Sequence, residues 1–307
     1  MISINDKYPL VSIVIPTMNR KVDVVECLDS IQNLDYPKNK IELLIWDNGS
    51  IDGTPEAVKS KDKEMIHKGF SKVEIVRSQE NLGPYVPYNQ VQSKLSRKSQ
   101  YILGLDDDVV LDKACLAKLV EVTRVAHSVG VVGGSIRYFD FPDKTILSGG
   151  RINWWLGRFV DLKTDKLTKC DYVIGCCWLI DRSIFNTVGG FDEDYFTMQW
   201  EMDFCSRVQK IGFNIYYQPE AIIKHKVPLG GKRSGLYYQF RNKLLLIKKN
   251  ATFLQKLTSL TLYAFFWLPK IILQSLVTNK GVNSKEVRII LKAVFHGIIG
   301  KTGRQEV

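Results

Sequence analysis

Four short apolar runs in the first 110 residues each stop at a cluster of polar side chains, and this pattern constrains the fold more than any other feature. Residues 11–15 end at Pro16, with Thr17 and Asn19 just beyond. Residues 41–46 end at Asp47-Asn48-Gly49-Ser50, residues 73–77 lead to Asn81 and Gly83, and residues 101–105 lead to Asp106-Asp107-Asp108. Runs this short and this rich in β-branched residues read as buried strands. Between them, residues 21–33 carry apolar side chains at 24, 25, 28 and 31, a helical spacing. Asp52-Gly53-Thr54-Pro55 opens a second helix, residues 89–97 give a third, and residues 113–126 are amphipathic. Strands alternating with helices predict an α/β fold with a mostly parallel central sheet covered on both faces. Ligands of such sheets bind beyond the carboxyl ends of the strands, and all four polar clusters fall there.

From 130 to 223 the pattern is mixed. Residues 129–136 predict a Gly-punctuated strand and 171–180 another. Gly189-Gly190-Phe191-Asp192 makes a turn, 200–211 a helix, and 213–217 a last strand, with His225 just past it. The chain has 307 residues, 45% of them hydrophobic, enough for a sizeable core. None of its six cysteines forms a CxxC pair, and vicinal Cys176-Cys177 cannot bridge without strain. They read as reduced core residues. The first ten residues include Asp6 and Lys7 and hold no long apolar run, so a cytoplasmic location is the default expectation.

The net charge of +11 is unevenly placed. From Lys224 to Val307 there are 16 Lys and Arg against two acids, Glu286 and Glu306, while residues 1–223 carry 27 basic and 30 acidic residues. Residues 252–278 are rich in Leu, Phe and Ile, interrupted by Lys256, Pro269 and Lys270; the longest uncharged stretch, 257–269, is short for a bilayer span. The expectation is a catalytic domain over 1–245 and a helical, basic and apolar tail over 246–307. One or two amphipathic helices of that tail would lie on the anionic inner face of the cell membrane.

The strand ends suggest chemistry. An Asp-x-Asp pair such as Asp106 and Asp108 at a strand end can hold a hard divalent cation, Mg²⁺ or Mn²⁺, which takes its other oxygens from water and phosphates. His225 could complete the shell. Asp47 could accept hydrogen bonds from a base or ribose. In Trp200-Glu201-Met202-Asp203 either carboxylate could take a proton from an attacking hydroxyl.

The chain resembles glycosyltransferase family 2, the inverting enzymes of GT-A fold, and within it the rhamnosyltransferase-like, surface-glycan branch. The resemblance rests on Val-Ser-Ile-Val-Ile-Pro-Thr-Met-Asn-Arg (11–20), Trp-Asp-Asn-Gly-Ser-Ile-Asp-Gly-Thr (46–54), Asn-Leu-Gly (81–83) and Leu-Asp-Asp-Asp-Val (105–109). It continues through Gly-Cys-Cys-Trp-Leu-Ile-Asp-Arg (175–182), Gly-Gly-Phe-Asp-Glu (189–193), Trp-Glu-Met-Asp-Phe-Cys-Ser-Arg (200–207) and Phe-Arg-Asn-Lys (240–243). It implies a nucleotide-sugar donor with Thr17, Asn19 and Asp47 around its base and ribose and Asp192 on the donor-sugar or acceptor side; Pro16, Asn48, Asn81, Gly83, Asp106, Asp107 and Trp200 are further expected substrate contacts. The metal would sit on Asp106, Asp108 and His225. The family usually shows Glu-Asp where this chain has Trp200-Glu201, which leaves Glu201 and Asp203 both open as the base. Pro84-Tyr85-Val86-Pro87 stands where relatives are often Gly- and Ala-rich.

The implied reaction is a single in-line displacement at the anomeric carbon by a hydroxyl of a glycan or polyprenyl-linked acceptor. Two other readings compete. A pI near 9.2 suggests a nucleic-acid binder, although the basic residues alternate with aliphatic ones and no nucleic-acid motif is present; nucleic acid is therefore not expected as a partner. A sugar-nucleotide-binding homologue without turnover is the other.

Overall fold

The computed structural model describes residues 7–147, 149–227, 235–277 and 284–305. Strands β1 (Val11–Thr17), β2 (Ile41–Asp47), β3 (Lys72–Arg77) and β4 (Tyr101–Leu105) run parallel in the spatial order β3-β2-β1-β4. Helices α1 (Lys21–Gln32) and α2 (Thr54–His67) connect the first three, with Pro55 in the first turn of α2 where its missing N–H costs nothing. All of β2 and nearly all of β1 is buried, because helices cover both faces. One face packs Val24, Cys27 and Leu28 of α1, Val58 and Met65 of α2, and Leu116 and Leu119 of α4 (Cys115–Val125). The other is an aromatic layer of Tyr88, Trp178, Phe191, Trp200 and Phe204.

Beyond β4 the sheet changes character. β5 (Val109–Leu111), β6 (Val129–Tyr138), β7 (Thr145–Leu147), β10 (Thr168–Cys170), β11 (Cys177–Asp181) and β12 (Asn214–His225) complete a ten-stranded sheet, while β8 (Gly150–Asn153) and β9 (Arg158–Asp161) form a separate hairpin. β11 is antiparallel to both β4 and β6, and β6 and β12 run parallel. The expected parallel sheet is thus the first four strands; β11 converts the rest to a mixed sheet. β12 runs eight residues past the expected 213–217, through a bulge between Gln218 and Ile222, so His225 is its last residue. The antiparallel register of β12 with β5 pairs His225 with Val109, beside Asp108.

Two other expectations differ in extent. Residues 89–97 hold only the end of α3 (Val86–Gln90) and a single 3-10 turn, because Tyr85, Tyr88 and Val91 are drawn into the aromatic layer. Residues 171–176 are irregular ahead of β11, with Tyr172 bridged to Gly150. All six cysteines are free and buried, as expected.

α5 (Arg182–Thr187) and α6 (Trp200–Lys210) follow β11, and α7 (Leu236–Asn250) follows β12. The expected domain boundary at 245 falls inside α7, whose Leu245 and Leu246 belong to the aromatic layer and whose Leu244 meets Ile290 and Val294 of α10 (Ser284–Ile299). α8 (Phe253–Leu262) opens with a capping box from Thr252 and Gln255. It passes through a π-turn, Tyr263–Trp267, into α9 (Leu268–Val277). The ladder changes register at the π-turn just before Pro269, where a proline's missing N–H is accommodated. The resulting helix, Phe253–Leu273, is long and apolar enough to cross a membrane by length and composition, with mean hydropathy 1.2.

Candidate active site

Three strand ends bring Asp106, Asp108 and His225 together, with one ligand atom from each within 4.8 Å of the others. His225 Nε2 lies 2.9 Å from Asp108 Oδ1, and Arg20 Nη1 lies 3.4 Å from Asp108 Oδ2. Burial raises the Asp108 carboxyl, but the hydrogen bond and charge of His225, with Arg20, outweigh it and hold Asp108 below the ordinary Asp range. Burial lowers the His225 imidazole, yet Asp108 and Asp106 raise it overall. Asp106 has no such partner among the described residues. Burial lifts its carboxyl to about 7; His225 draws it down, while Asp108, Asp107 and Glu201 push it up. Burial also lifts Asp107 to about 6. Two carboxylates, an imidazole and a local excess of negative charge match the oxygen-and-nitrogen donor set of a divalent cation.

The ends of β1 and β2 form the second part of the cleft. Asp47 accepts from the Ser50 amide through Oδ1 (2.9 Å), while its Oδ2 is buried without a hydrogen bond, 3.4 Å from Arg77 Nε. The Thr17 hydroxyl, one strand over, is also buried, beside the Asp107 carboxyl that it helps to hold down. Asn19 holds φ 52° and accepts from the Ile51 amide (2.8 Å), stapling the end of β1 to the turn after β2. Asn48 is occupied by the next loop: it accepts from Leu82 N and donates to Gly83 O, both at 3.3 Å, and Asn81 accepts from Gly83 N. Gly83 has φ +87°, which strains any residue with a Cβ, and a Cβ there would also press on Phe196 O at 3.2 Å. Alongside opens a cleft of about 550 Å³ lined by Gly49, Ile51, Arg77, Ser78 and Gln79. Pro16, paired with Trp46 in the strand register, is part of the wall rather than a polar contact.

The two candidate bases differ sharply. Asp203 is 1% exposed and fully engaged: Arg207 Nε at 2.7 Å, Asn250 Nδ2 at 2.7 Å and Tyr195 OH at 3.3 Å. Glu201 has no ion pair among the described residues; its Oε2 is buried without a hydrogen bond, and burial lifts its carboxyl to about 7. Trp200, beside it, packs edge-on to Phe191 with ring centres 4.7 Å apart, and near Tyr85 at 5.7 Å. Tyr85 explains the departure at 84–87: its hydroxyl accepts from Phe196 N and donates to Glu193 O, both at 2.8 Å. Asp192 is ion-paired with Lys249 of α7, together with Asp194.

The segment entering α6 is strained. Phe196, Met198 and Gln199 all have φ near +60°, which costs a residue with a Cβ about 1–3 kcal/mol. Two fully buried side chains of α7 hold it. Asn242 donates to the carbonyls of Tyr195, Thr197 and Met198, and Arg241 to those of Asp194, Tyr195 and Gly303. The sequence singled out 240–243 as a motif without a role. Arg20, Tyr85 and this clamp are the functional positions that sequence reasoning left unassigned; the fully buried Arg241 could not be told from a surface arginine by sequence.

Comparison with known proteins decides the family. Residues 12–189 match the sequence model of Glycosyl transferase family 2. This chain belongs to that family. It is 32% identical to glycosyltransferase AglE of Haloferax volcanii over 219 residues, covering 71% of this chain and 67% of AglE. It is 25% identical to an N-acetylglucosaminyl-diphospho-decaprenol L-rhamnosyltransferase of Mycobacterium tuberculosis, covering 62% and 69%. Its fold is that of the mannosyltransferase PcManGT from Pyrobaculum calidifontis, solved with GDP-Man and Mn²⁺, at TM-score 0.64 and 18% identity over 94% of this chain and 87% of that one. Staphylococcus aureus TarS in complex with UDP-GlcNAc superposes at TM-score 0.60 and 17% identity, covering 95% and 81%. The α/β fold of this family-2 glycosyltransferase is therefore the GT-A fold that its motifs implied, and the nucleic-acid reading is not favoured.

Proposed function

We propose that this glycosyltransferase moves a sugar from a nucleoside-diphosphate sugar to a hydroxyl of a lipid-linked glycan, with inversion at the anomeric carbon. The observation that carries this reading is the pairing in one cleft of the Asp106–Asp108–His225 group with Glu201, whose Oε2 is buried without a partner and whose carboxyl is near enough to Asp106 for the two to repel. Asp106, Asp108 and His225 would hold Mg²⁺ or Mn²⁺, which when bound supplies a Lewis acid for the diphosphate leaving group. The chain's own side chains do the rest. Thr17, Asn19, Asp47 and the 81–83 loop bind base and ribose beside the 550 Å³ cleft. Glu201 accepts the acceptor's proton, a role for which a carboxyl near 7 is well matched. Asp203 is a positioning residue, its oxygens already used by Arg207, Asn250 and Tyr195.

The lipid-linked acceptor is supported by the printed acceptor of the mycobacterial relative and by the tail. Phe253, Leu254, Leu257, Phe265, Phe266 and Leu273 of the long helix are all more than half exposed, in the part of the chain that carries the whole excess of positive charge. The reading is a peripheral enzyme on the cytoplasmic face of an anionic membrane. Proton NMR of the product tests the reaction: an anomeric configuration opposite to the donor's supports single displacement, and a retained configuration contradicts it. Flotation of the full chain with anionic liposomes tests the tail; failure to float removes the membrane.

A further inference from the structure

Away from the carboxylate cleft, four hydrogen-bond donors meet with no acid among them. Lys243 of α7 is half-buried, with its ammonium over the rings of Phe159 (5.5 Å) and Tyr263 (5.4 Å). Arg158, which opens β9, stands 5.2 Å over the ring of Trp267. Neither cation has a carboxylate partner among the described residues. Tyr263 is 3% exposed, and its hydroxyl has no hydrogen-bond partner; nor has the buried Nε1 of Trp267. Tyr263 and Trp267 are the two ends of the π-turn, so one distorted turn carries both unpartnered donors, with its rings against Lys243 of α7 and Arg158 of the hairpin β8–β9.

A packing role alone accounts poorly for this group. Two rings suffice to bury a lysine stem, but they do not call for a second cation nearby. Burial, and then the charge of Arg158, push the Lys243 ammonium down to about 8. A half-buried lysine, a like charge and two buried donors without acceptors are each unfavourable alone. An anion seated among them reverses all four at once. The donor set suits phosphate: a guanidinium fork, a point-charge ammonium and two neutral donors against a multiply charged tetrahedral group. The surroundings suit a lipid. On the same turn Phe265 and Phe266 are 82% and 53% exposed, and Trp155 at the tip of the hairpin is 51% exposed. Exposed aromatic rings beside an exposed arginine and a half-buried lysine suit a membrane interface.

We infer that Arg158, Lys243, Tyr263 and Trp267 form a binding site for the phosphate or diphosphate of a membrane lipid. The identity of that lipid as the acceptor rests on the function proposed above, whereas the anion chemistry rests on the four donors alone. The site would hold the headgroup at the junction of hairpin and tail helix while the lipid chain leaves along the exposed aromatic face.

The test uses the full chain and its Arg158→Gln, Lys243→Met double variant. Each is titrated with phosphatidylcholine vesicles carrying a long-chain isoprenyl diphosphate, with vesicles carrying phosphatidylglycerol at matched charge, and with inorganic diphosphate in solution. Wild type is expected to bind at least one probe roughly a hundredfold more tightly than the variant, the loss expected for two charge-assisted hydrogen bonds. Loss confined to isoprenyl diphosphate assigns the site to the acceptor. Equal loss on phosphatidylglycerol assigns it to bilayer headgroups, and loss only with inorganic diphosphate to a free phosphate; each of the three supports an anion site. Equal binding of variant and wild type to all three probes overturns it. Lys243→Met removes an unpartnered cation from a half-buried position, so that single variant should melt no lower than wild type and serves as the folding control. Nucleotide binding with Mn²⁺, measured alongside, separates the two ideas: its absence in wild type strikes the transferase reading and leaves the vesicle comparison standing.

Discussion

At the residue scale the account turns on Glu201. Replacing it with Gln should lower kcat by about 10²–10⁴, the usual contribution of a general base, while leaving nucleotide affinity intact; a matching rise in nucleotide Kd would place Glu201 in donor binding instead. In wild type the base must be ionised, so kcat/KM should climb with pH through about 7, the value to which burial lifts this carboxyl. The same shift affects stability. A folded-state value above the ordinary 4.5 means that the folded protein holds the extra proton. The stability linked to it is therefore full below about pH 4.5 and is lost as pH rises toward 7. Glu201→Gln should accordingly melt above wild type at pH 8 and close to it at pH 4.5, which a pair of melting curves would show. Asp203→Asn should behave in the opposite way. It leaves Arg207 without its carboxylate partner in a largely buried site, at a cost of about 3 kcal/mol, and its catalytic loss should follow the loss of folded protein.

At the scale of elements, the first half of the chain was readable because each buried strand carries its own local signature. Val11, Ile13, Val14 and Ile15 are apolar on both faces, and the run stops where polar function begins. The Asp-x-Asp strand end and the position of Glu201 at a helix start were legible for the same reason. The β8–β9 hairpin and the antiparallel β5–β12 pair were not. Their residues alternate weakly, and their partners lie far away in sequence; Val109 meets His225 across 116 positions. The clamp of Arg241 and Asn242 was invisible because its ligands are backbone carbonyls, which leave no trace in residue type. Asn242→Ala should release the strained entry to α6, lowering kcat with little change in nucleotide Kd. Hydrogen exchange across 194–201 should quicken in that variant, and unchanged exchange there would show that the clamp holds nothing. Gly104→Ala tests the aromatic layer: a Cβ would lie 2.5 Å from Trp178 Nε1, and overpacking of this kind costs about 1–3 kcal/mol.

For the whole molecule, the chain divides its labour by charge and surface. Residues 1–223 are nearly neutral and build the cleft, whereas the last 84 carry the positive excess and the exposed apolar helix. These parts are not independent. α7 holds the entry to α6 on one side and packs against α10 on the other, and Gly303, beyond α10, accepts a hydrogen bond from Arg241 and donates one to Asp194 O. On the proposed reading of the tail as a membrane anchor, binding to anionic vesicles should weaken as salt rises, because its electrostatic part is screened within about 8 Å at physiological ionic strength. The most direct test of the central claim is thermal stabilisation of the wild-type chain by UDP, GDP and dTDP, each with and without Mn²⁺. The account predicts that one nucleotide raises the melting temperature only when Mn²⁺ is present, and that Asp108→Asn abolishes the effect. Stabilisation that is indifferent to the cation, or no stabilisation by any nucleotide on folded protein, would contradict it.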